Sequence, residues 1–272
     1  YDAVNKILNK NKILAPKLIN QNYKNNYIEV EDFGDNTLYK LLRHNKTNKE
    51  FFFIKILKTL SRLQLIKDKQ VVNLNKQKYK VQKYEDKTLL NEAKLFSEWY
   101  APTKINKFQI RKFKKGYENE VKKLLSKLNL KNDTFVHRDF HVSNLMYVKN
   151  NIAVIDSQDA LIGNKAYDLA SLVDDVRFKT SNKLKNKILN NYFKKLKKTE
   201  IKEFINDFEI LSVLRNLKII GIFMRLALRD NKKKYAKMIP YAWEMINYRM
   251  KKNKEFVNLK LILKRNFPKF VK

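Results

Sequence analysis

One stretch of the chain concentrates the residues that could do chemistry: His137-Arg138-Asp139-Phe140-His141-Val142-Ser143-Asn144, followed by Ile155-Asp156. A carboxylate on a loop, an amide shortly after it and a second carboxylate beyond a turn suit phosphoryl transfer. That reaction asks little of a protein. One carboxylate accepts or orients the proton of an attacking hydroxyl, oxygen ligands hold Mg²⁺ against the phosphates, and the rest is positioning and charge neutralisation. Asp139 is then the candidate base, and Asn144 and Asp156 are the candidate metal ligands. An amide oxygen plus a carboxylate is an ordinary protein share of a Mg²⁺ shell. His137 is expected to support the loop through a backbone hydrogen bond, and His141 has no assigned role. A zinc site built from His137, Asp139 and His141 is the competing assignment. Catalytic zinc normally takes three protein ligands, and no third His or Cys is near.

These residues need elements to hold them. Thr134-Phe135-Val136 is a short apolar strand. Leu145–Val148 and Ile152–Ile155 are two more, and Lys149-Asn150-Asn151 suits the turn of a hairpin. That hairpin returns the chain so that Asp156 faces Asn144. Upstream, helical spacing predicts helices over 2–13, 48–67, 89–100 and 117–130, with Phe52, Ile56, Leu60 and Leu63 on the apolar face of the second. Alternation predicts a strand over 27–32, closed by Gly34, with Asn36 or Thr37 capping the next helix. Residues 68–86 are polar and read as loop. After Gly163 the pattern is helical to the end, over 166–178, 182–197, 200–229, 233–252 and 255–265. The fold class expected is α+β.

Composition narrows the functional classes. The chain has 272 residues and no cysteine, which excludes disulfides and Cys-based zinc and makes a reducing cytoplasm the expected setting. No apolar run approaches the ~18 residues of a membrane span. Lys and Arg number 60 against 27 Asp and Glu, a net charge of +33. The excess is mostly Lys spread along the whole chain, not a basic patch interleaved with aromatic residues, so no specific nucleic-acid partner is expected. The expected partner is a small-molecule substrate.

The His-Arg-Asp-x4-Asn stretch with Ile155-Asp156 resembles the aminoglycoside phosphotransferase and choline kinase superfamily, as does Tyr167-Asp168-Leu169-Ala170. Within it, the chain is most similar to the bacterial N-acetylmuramate/N-acetylglucosamine kinase group of cell-wall recycling. Four stretches carry that likeness: Leu90–Tyr100, Phe135–Met146, Asp156–Ala160, and Arg215–Phe223 with Arg229-Asp230. The resemblance implies a protein-kinase-like fold with a large helical lobe, ATP and Mg²⁺ as cofactors, and phosphorylation of an amino-sugar hydroxyl. It implies that Asp168 braces the catalytic loop and that backbone around Glu31, Asp32 and Phe33 forms a hinge meeting adenine. Residues 1–34 would be the remnant of a small lobe and hinge, and 35–272 the helical lobe with the catalytic loop. Relatives begin with a segment carrying a glycine-containing phosphate loop and a strand lysine; this chain starts at Tyr1 without them, so the expectation is a truncated form with weakened or absent turnover. Ser157 stands where the group usually has an aromatic residue.

The acceptor sugar is expected between the catalytic loop and the helical lobe, within reach of Asp159, Asp175 and Arg215. Carboxylates suit sugar hydroxyls, and an Arg fork suits the N-acetylmuramate carboxylate. For Arg225 an interhelical ion pair is the simpler role, and for Trp99 and Trp243 the core. The alternatives left open are another acceptor, such as an aminoglycoside or a choline-like alcohol, and a non-catalytic kinase-like binding protein.

Overall fold

Polar caps set several helix starts. In the computed structural model, which describes residues 1–44, 47–251 and 253–271, Thr37, Asn48, Asn106 and Ser181 each accept a backbone N–H of the first helical turn that follows. Such a cap satisfies a donor that the helix itself leaves unpaired. The chain divides into two compact units: 1–84 with 131–173 and 180–196, and 85–130 with 174–179 and 197–272.

The first unit carries α1 (Asp2–Lys10), β1 (Leu18–Asn22), β2 (Tyr27–Val30), α2 (Leu38–Arg43), α3 (Lys49–Gln64), β3 (Gln70–Val72) and β4 (Lys78–Lys80). α3 buries Phe53, Ile56, Leu57, Leu60 and Leu63; each such side chain contributes roughly 1.5–3 kcal/mol when fully removed from water. Its inward aromatic is Phe53, not the expected Phe52, which lies at the edge of the face. Residues 70–80 form a hairpin where a loop was expected. Val71 pairs with Tyr79, but both strands are mostly exposed. A two-sided polar hairpin lacks the buried-face alternation that betrays a strand. α1 stops at Lys10, shorter than expected, because Lys12 takes a positive φ of 59°.

Later in the same unit come β5 (Asn132–Val136), β6 (Leu145–Val148), β7 (Asn151–Val154), β8 (Leu161–Asn164), α6 (Ala166–Val173) and α7 (Asn182–Phe193). β6 and β7 form the expected hairpin, with Val148 opposite Asn151 and Leu145 opposite Val154. Lys149 and Asn150 both take positive φ, 44° and 65°, the demand of a two-residue hairpin turn. β8, where the helical pattern was expected to begin, instead pairs antiparallel with β5. Gly163 also lets Tyr84 pack closely on β8, since a Cβ there would stand 3.0 Å from Tyr84 Cβ. α6 ends five residues before the expected 178. Its C-terminal carbonyl at Val173 accepts a 2.7 Å bond from the fully buried Lys185 Nζ of α7.

The second unit holds α4 (Asp86–Leu95), continued by a π turn over Phe96–Tyr100, then α5 (Lys107–Leu125), α8 (Lys198–Leu228), α9 (Ile239–Met250) and α10 (Val257–Asn266). α5 starts ten residues before the expected Tyr117. Its first turns are basic and expose Phe108, which masks the stripe that Phe113, Tyr117, Val121 and Leu124 bury. Residues 233–238 form a 3₁₀ segment leading into α9; Lys252, the last residue of the expected helix, lies outside the described residues. α8 lies directly on the π turn: a Cβ on Gly221 would come within 2.3 Å of the Leu95 carbonyl carbon. Trp243 sits in an aromatic core with Phe96, Tyr100 and Phe267, and its Nε1 donates to Tyr100 Oη at 3.3 Å. Among the described residues, no helix is long and apolar enough to cross a membrane.

Candidate active site

Asp139 lies on the loop between β5 and β6, and a buried carboxylate shapes that loop. Asp168, 1% exposed in the first turn of α6, accepts the backbone N–H of His137 at 2.7 Å and of Arg138 at 3.0 Å. Asn164 starts that helix by accepting the Ala166 N–H at 2.9 Å. The two bonds hold Arg138 at φ 75°, a left-handed conformation that costs a non-glycine residue free energy and needs such support. Asp139, the next residue, is set out from the strand by this turn.

His137 is fully buried, and its Nε2 lies 3.0 Å from the Ile155 carbonyl. A carbonyl only accepts, so the ring donates from Nε2. Burial pushes the His137 pKa below its ordinary value, outweighing the opposing pull of Asp139, of the Ile155 bond and of Asp156. A neutral ring thus ties the loop to the end of β7.

The hairpin register closes the site. The Ile155 N–H donates to the Asn144 carbonyl at 3.0 Å, which brings the two chain segments side by side. Asn144 Nδ2 then lies 3.2 Å from the Asp139 carbonyl and 3.3 Å from Asp156 Oδ2. Asp156 takes φ 61°, and its other oxygen accepts Gln158 Nε2 at 2.8 Å. The hairpin is itself flanked on both sides. The Tyr147 N–H donates to the Asn36 carbonyl at 3.1 Å, and the Val154 N–H to the Leu14 carbonyl at 2.8 Å.

The donor set fits a Mg²⁺ shared with phosphate oxygens. Asn144 and Asp156 offer hard oxygen ligands from adjacent backbone, and the Asp156 carboxylate is met by two amide groups where a cation would also be welcome. No group of three or more His, Asp or Glu side chains converges among the described residues. A metal held by three such side chains, including the zinc alternative, therefore has no ligand set there.

The remaining expected residues fall in different places. Asp159 stands beside the loop, its carbonyl accepting Arg138 Nη1 at 3.2 Å while its side chain is exposed. The Glu31 N–H is spent on the Lys17 carbonyl at 2.9 Å, Asp32 Oδ1 accepts the Gly34 N–H at 2.7 Å, and Gly34 takes φ 73°. Asp175 and Arg215 belong to the second unit. Asp175 is 1% exposed, accepts the Arg177 N–H at 3.0 Å and lies 3.6 Å from Arg177 Nη1. Arg215 is 3% exposed within α8. The Arg225 Nε is buried without a hydrogen bond among the described residues.

Residue types and spacing alone missed three contributors. Gln158 holds Asp156 from two residues away, Arg138 accepts the strained turn, and Asn5 of α1 receives a hydrogen bond from the buried Ser157 hydroxyl. Ser157, where an aromatic residue was expected, therefore anchors α1 to the segment that follows Asp156. The only sequence signal for this was that departure itself.

Known proteins show matching likenesses. A family model described as phosphotransferase enzyme family matches residues 5–203. An N-acetylmuramate/N-acetylglucosamine kinase of Neisseria meningitidis is 33% identical over 182 residues, 65% of this chain and 54% of that protein. A protein of the same name from Caulobacter vibrioides is 25% identical across 87% of this chain and 66% of its own length. The chain thus spans between about half and two thirds of these relatives. Among solved structures, an ethanolamine kinase of Plasmodium vivax superposes with a TM-score of 0.59 at 17% identity, covering 91% of this chain and 70% of that one. A choline/ethanolamine kinase family protein from Mesorhizobium loti gives 0.60 at 11% identity, covering 97% and 81%. The fold is α+β and protein-kinase-like.

Proposed function

We propose, from the premise that the chain belongs to the phosphotransferase enzyme family, that it transfers the γ-phosphate of ATP to a hydroxyl of an amino sugar of the N-acetylmuramate or N-acetylglucosamine type. The observation that carries this is the convergence of Asn144 and Asp156 at 3.3 Å beside the loop bearing Asp139. The names of the relatives support the acceptor class.

In this proposal Asp139 accepts the proton of the sugar hydroxyl as its oxygen attacks the γ-phosphorus. The new P–O bond forms as the bond to the β,γ-bridging oxygen breaks, and ADP leaves with that electron pair. Asn144 and Asp156 would hold Mg²⁺, which supplies charge neutralisation on the phosphates when bound. Asp168 and His137 keep the loop in place, so the carboxylate does not have to be ordered during the reaction. Glu31, Asp32 and Phe33 are the proposed adenine-facing hinge. Asp159 is the acceptor-side carboxylate nearest the loop in sequence and fold, with Asp175 and Arg215 as further acceptor candidates.

The test is a mass-spectrometric screen of the full-length protein with ATP and Mg²⁺ over amino sugars, aminoglycosides and amino alcohols. The expected result is one added phosphate on N-acetylmuramate or N-acetylglucosamine. Phosphate appearing only on an aminoglycoside or an amino alcohol would replace the acceptor class. Transfer to none of them would remove the catalytic assignment.

A further inference from the structure

The first unit contains a polar cavity that is not lined by Asp139, Asn144 or Asp156. Its floor is one face of α3, and its far wall is the tip of the β6–β7 hairpin. A space of 450 Å³ lined by Phe51, Lys55, Lys58 and Asn150 adjoins one of 290 Å³ lined by Lys12 and Ile13. Thr59, Arg62, Asn151 and Ile152 line both. The hairpin tip at Asn151 and its base at Val154 are the two ends of β7, about 10 Å apart at the usual strand rise. The cavity thus sits behind the hairpin that carries Asn144 and Asp156.

Its chemistry is one-sided. Lys12, Lys55, Lys58 and Arg62 line it, and no carboxylate does. Lys55 Nζ donates to the Asn150 carbonyl at 2.8 Å, bridging α3 to the tip. Lys12, Lys58 and Arg62 have no ion-pair partner among the described residues, whereas other exposed lysines of the same unit do, such as Lys187 with Glu50 at 2.6 Å and Lys10 with Asp68 at 2.6 Å. The field extends past the rim, where burial together with the Lys58 charge holds the Lys195 ammonium below its ordinary value.

A net charge of +33 puts lysines everywhere, so charge alone would mean little. The second observation is Thr59. It is 8% exposed, sits on the cavity floor and makes no side-chain hydrogen bond among the described residues. Neighbouring Ser61, by contrast, donates to the Leu57 carbonyl at 2.8 Å. The Thr59 oxygen is not one of the fully enclosed polar atoms left without a partner, so its hydroxyl opens onto the cavity and can donate to an acceptor there. A guanidinium, several ammonium groups and one hydroxyl, all donors, match an anion with several acceptor oxygens.

We propose that this cavity binds a phosphate-bearing anion, with Arg62, Lys58 and Lys12 facing its charge and the Thr59 hydroxyl donating to one of its oxygens. The occupied cavity would draw α3, the loop after α1 and the hairpin tip around one ligand. The site needs no part of the proposed transfer reaction, so it stands or falls separately.

Titration calorimetry with inorganic pyrophosphate, in EDTA and at fixed ionic strength, tests it. One site is expected. Lys58→Glu with Arg62→Glu should weaken binding roughly a hundred-fold, as lost charge-assisted bonds would. Lys198→Glu with Lys202→Glu, exposed on α8 and equal in charge change, should move it by less than about two-fold, the expected size for distant screened charges. Thr59→Val should weaken binding roughly ten-fold, and Thr59→Ser should restore it. A hexose 6-phosphate titrated alongside identifies the source, because the tighter of the two probes names free or esterified phosphate. The proposal is overturned if neither probe binds, if the α8 reversal weakens binding as much as the cavity reversal, if Thr59→Val has no effect, or if Asp156→Asn abolishes binding.

Discussion

Two buried aspartates, one in the first turn of α6 and one just past its end, do opposite work. Asp168 is 1% exposed, and its carboxylate is committed to backbone, gripping the His137 and Arg138 amides. Asp174 is fully buried, and its carboxylate is committed to side chains. It takes Arg249 Nε at 2.7 Å and Nη2 at 3.1 Å, and the Ser212 hydroxyl at 2.6 Å. The first fixes a strained turn in the first unit, next to Asp139. The second ties α8 to α9 inside the second unit. A carboxylate that satisfies amides dictates where backbone goes, whereas one that forks a guanidinium locks helices together. The same residue type thus shapes a backbone loop in one region and locks helices together in the other.

Removing each one separates the two roles. Asp174→Ala leaves Arg249 buried without its partner, and breaking a buried pair from one side costs about 3–5 kcal/mol. Urea unfolding should register that loss, while the transfer rate per folded molecule stays near wild type. A fall in rate without a fall in stability would erase the contrast. Asp168→Asn is the converse. An Asn side chain accepts at one atom only and turns an N–H toward the second amide. Transfer should drop about 10–100-fold, the usual cost of losing a group that orients the reacting residues. The unfolding midpoint should move much less than for Asp174→Ala.

A smaller effect sharpens the stability side. Burial pushes the Glu209 carboxyl above its ordinary value of 4.5, against the Asn253 hydrogen bond and the Arg249 charge. The folded protein therefore holds that proton more tightly than the unfolded chain. The associated stability is complete below about pH 4.5 and is lost as pH rises through the elevated folded value. Glu209→Gln should then melt higher than wild type at pH 8 and at the same temperature near pH 4. A difference that does not vary with pH would assign the effect to packing.

How much of this was legible in the residues alone follows from the same contrast. The convergence of Asn144 and Asp156 could be read because a two-residue turn and a register of whole residues leave little freedom between them. α3 was legible from its apolar stripe, whereas the basic first turns of α5 masked its start. Asp174 and Arg249 are far apart in sequence, and no local pattern pairs them. β8 was hidden because Leu161–Asn164 is too short to show alternation, and the β3–β4 hairpin because it buries almost nothing. The link from Asn5 to Ser157 depends on tertiary placement, which spacing does not encode.

The central claim is that Asp139 handles the proton while Asp156 handles the metal. The most direct measurement is steady-state transfer as a function of Mg²⁺ concentration for Asp139→Asn and Asp156→Asn in the full-length protein. Asp139→Asn should lower kcat by about 10²–10⁴-fold with an unchanged half-saturating Mg²⁺ concentration, and Asp156→Asn should raise that concentration. Near-normal kcat in Asp139→Asn, or an unshifted Mg²⁺ requirement in Asp156→Asn, would contradict the division of labour.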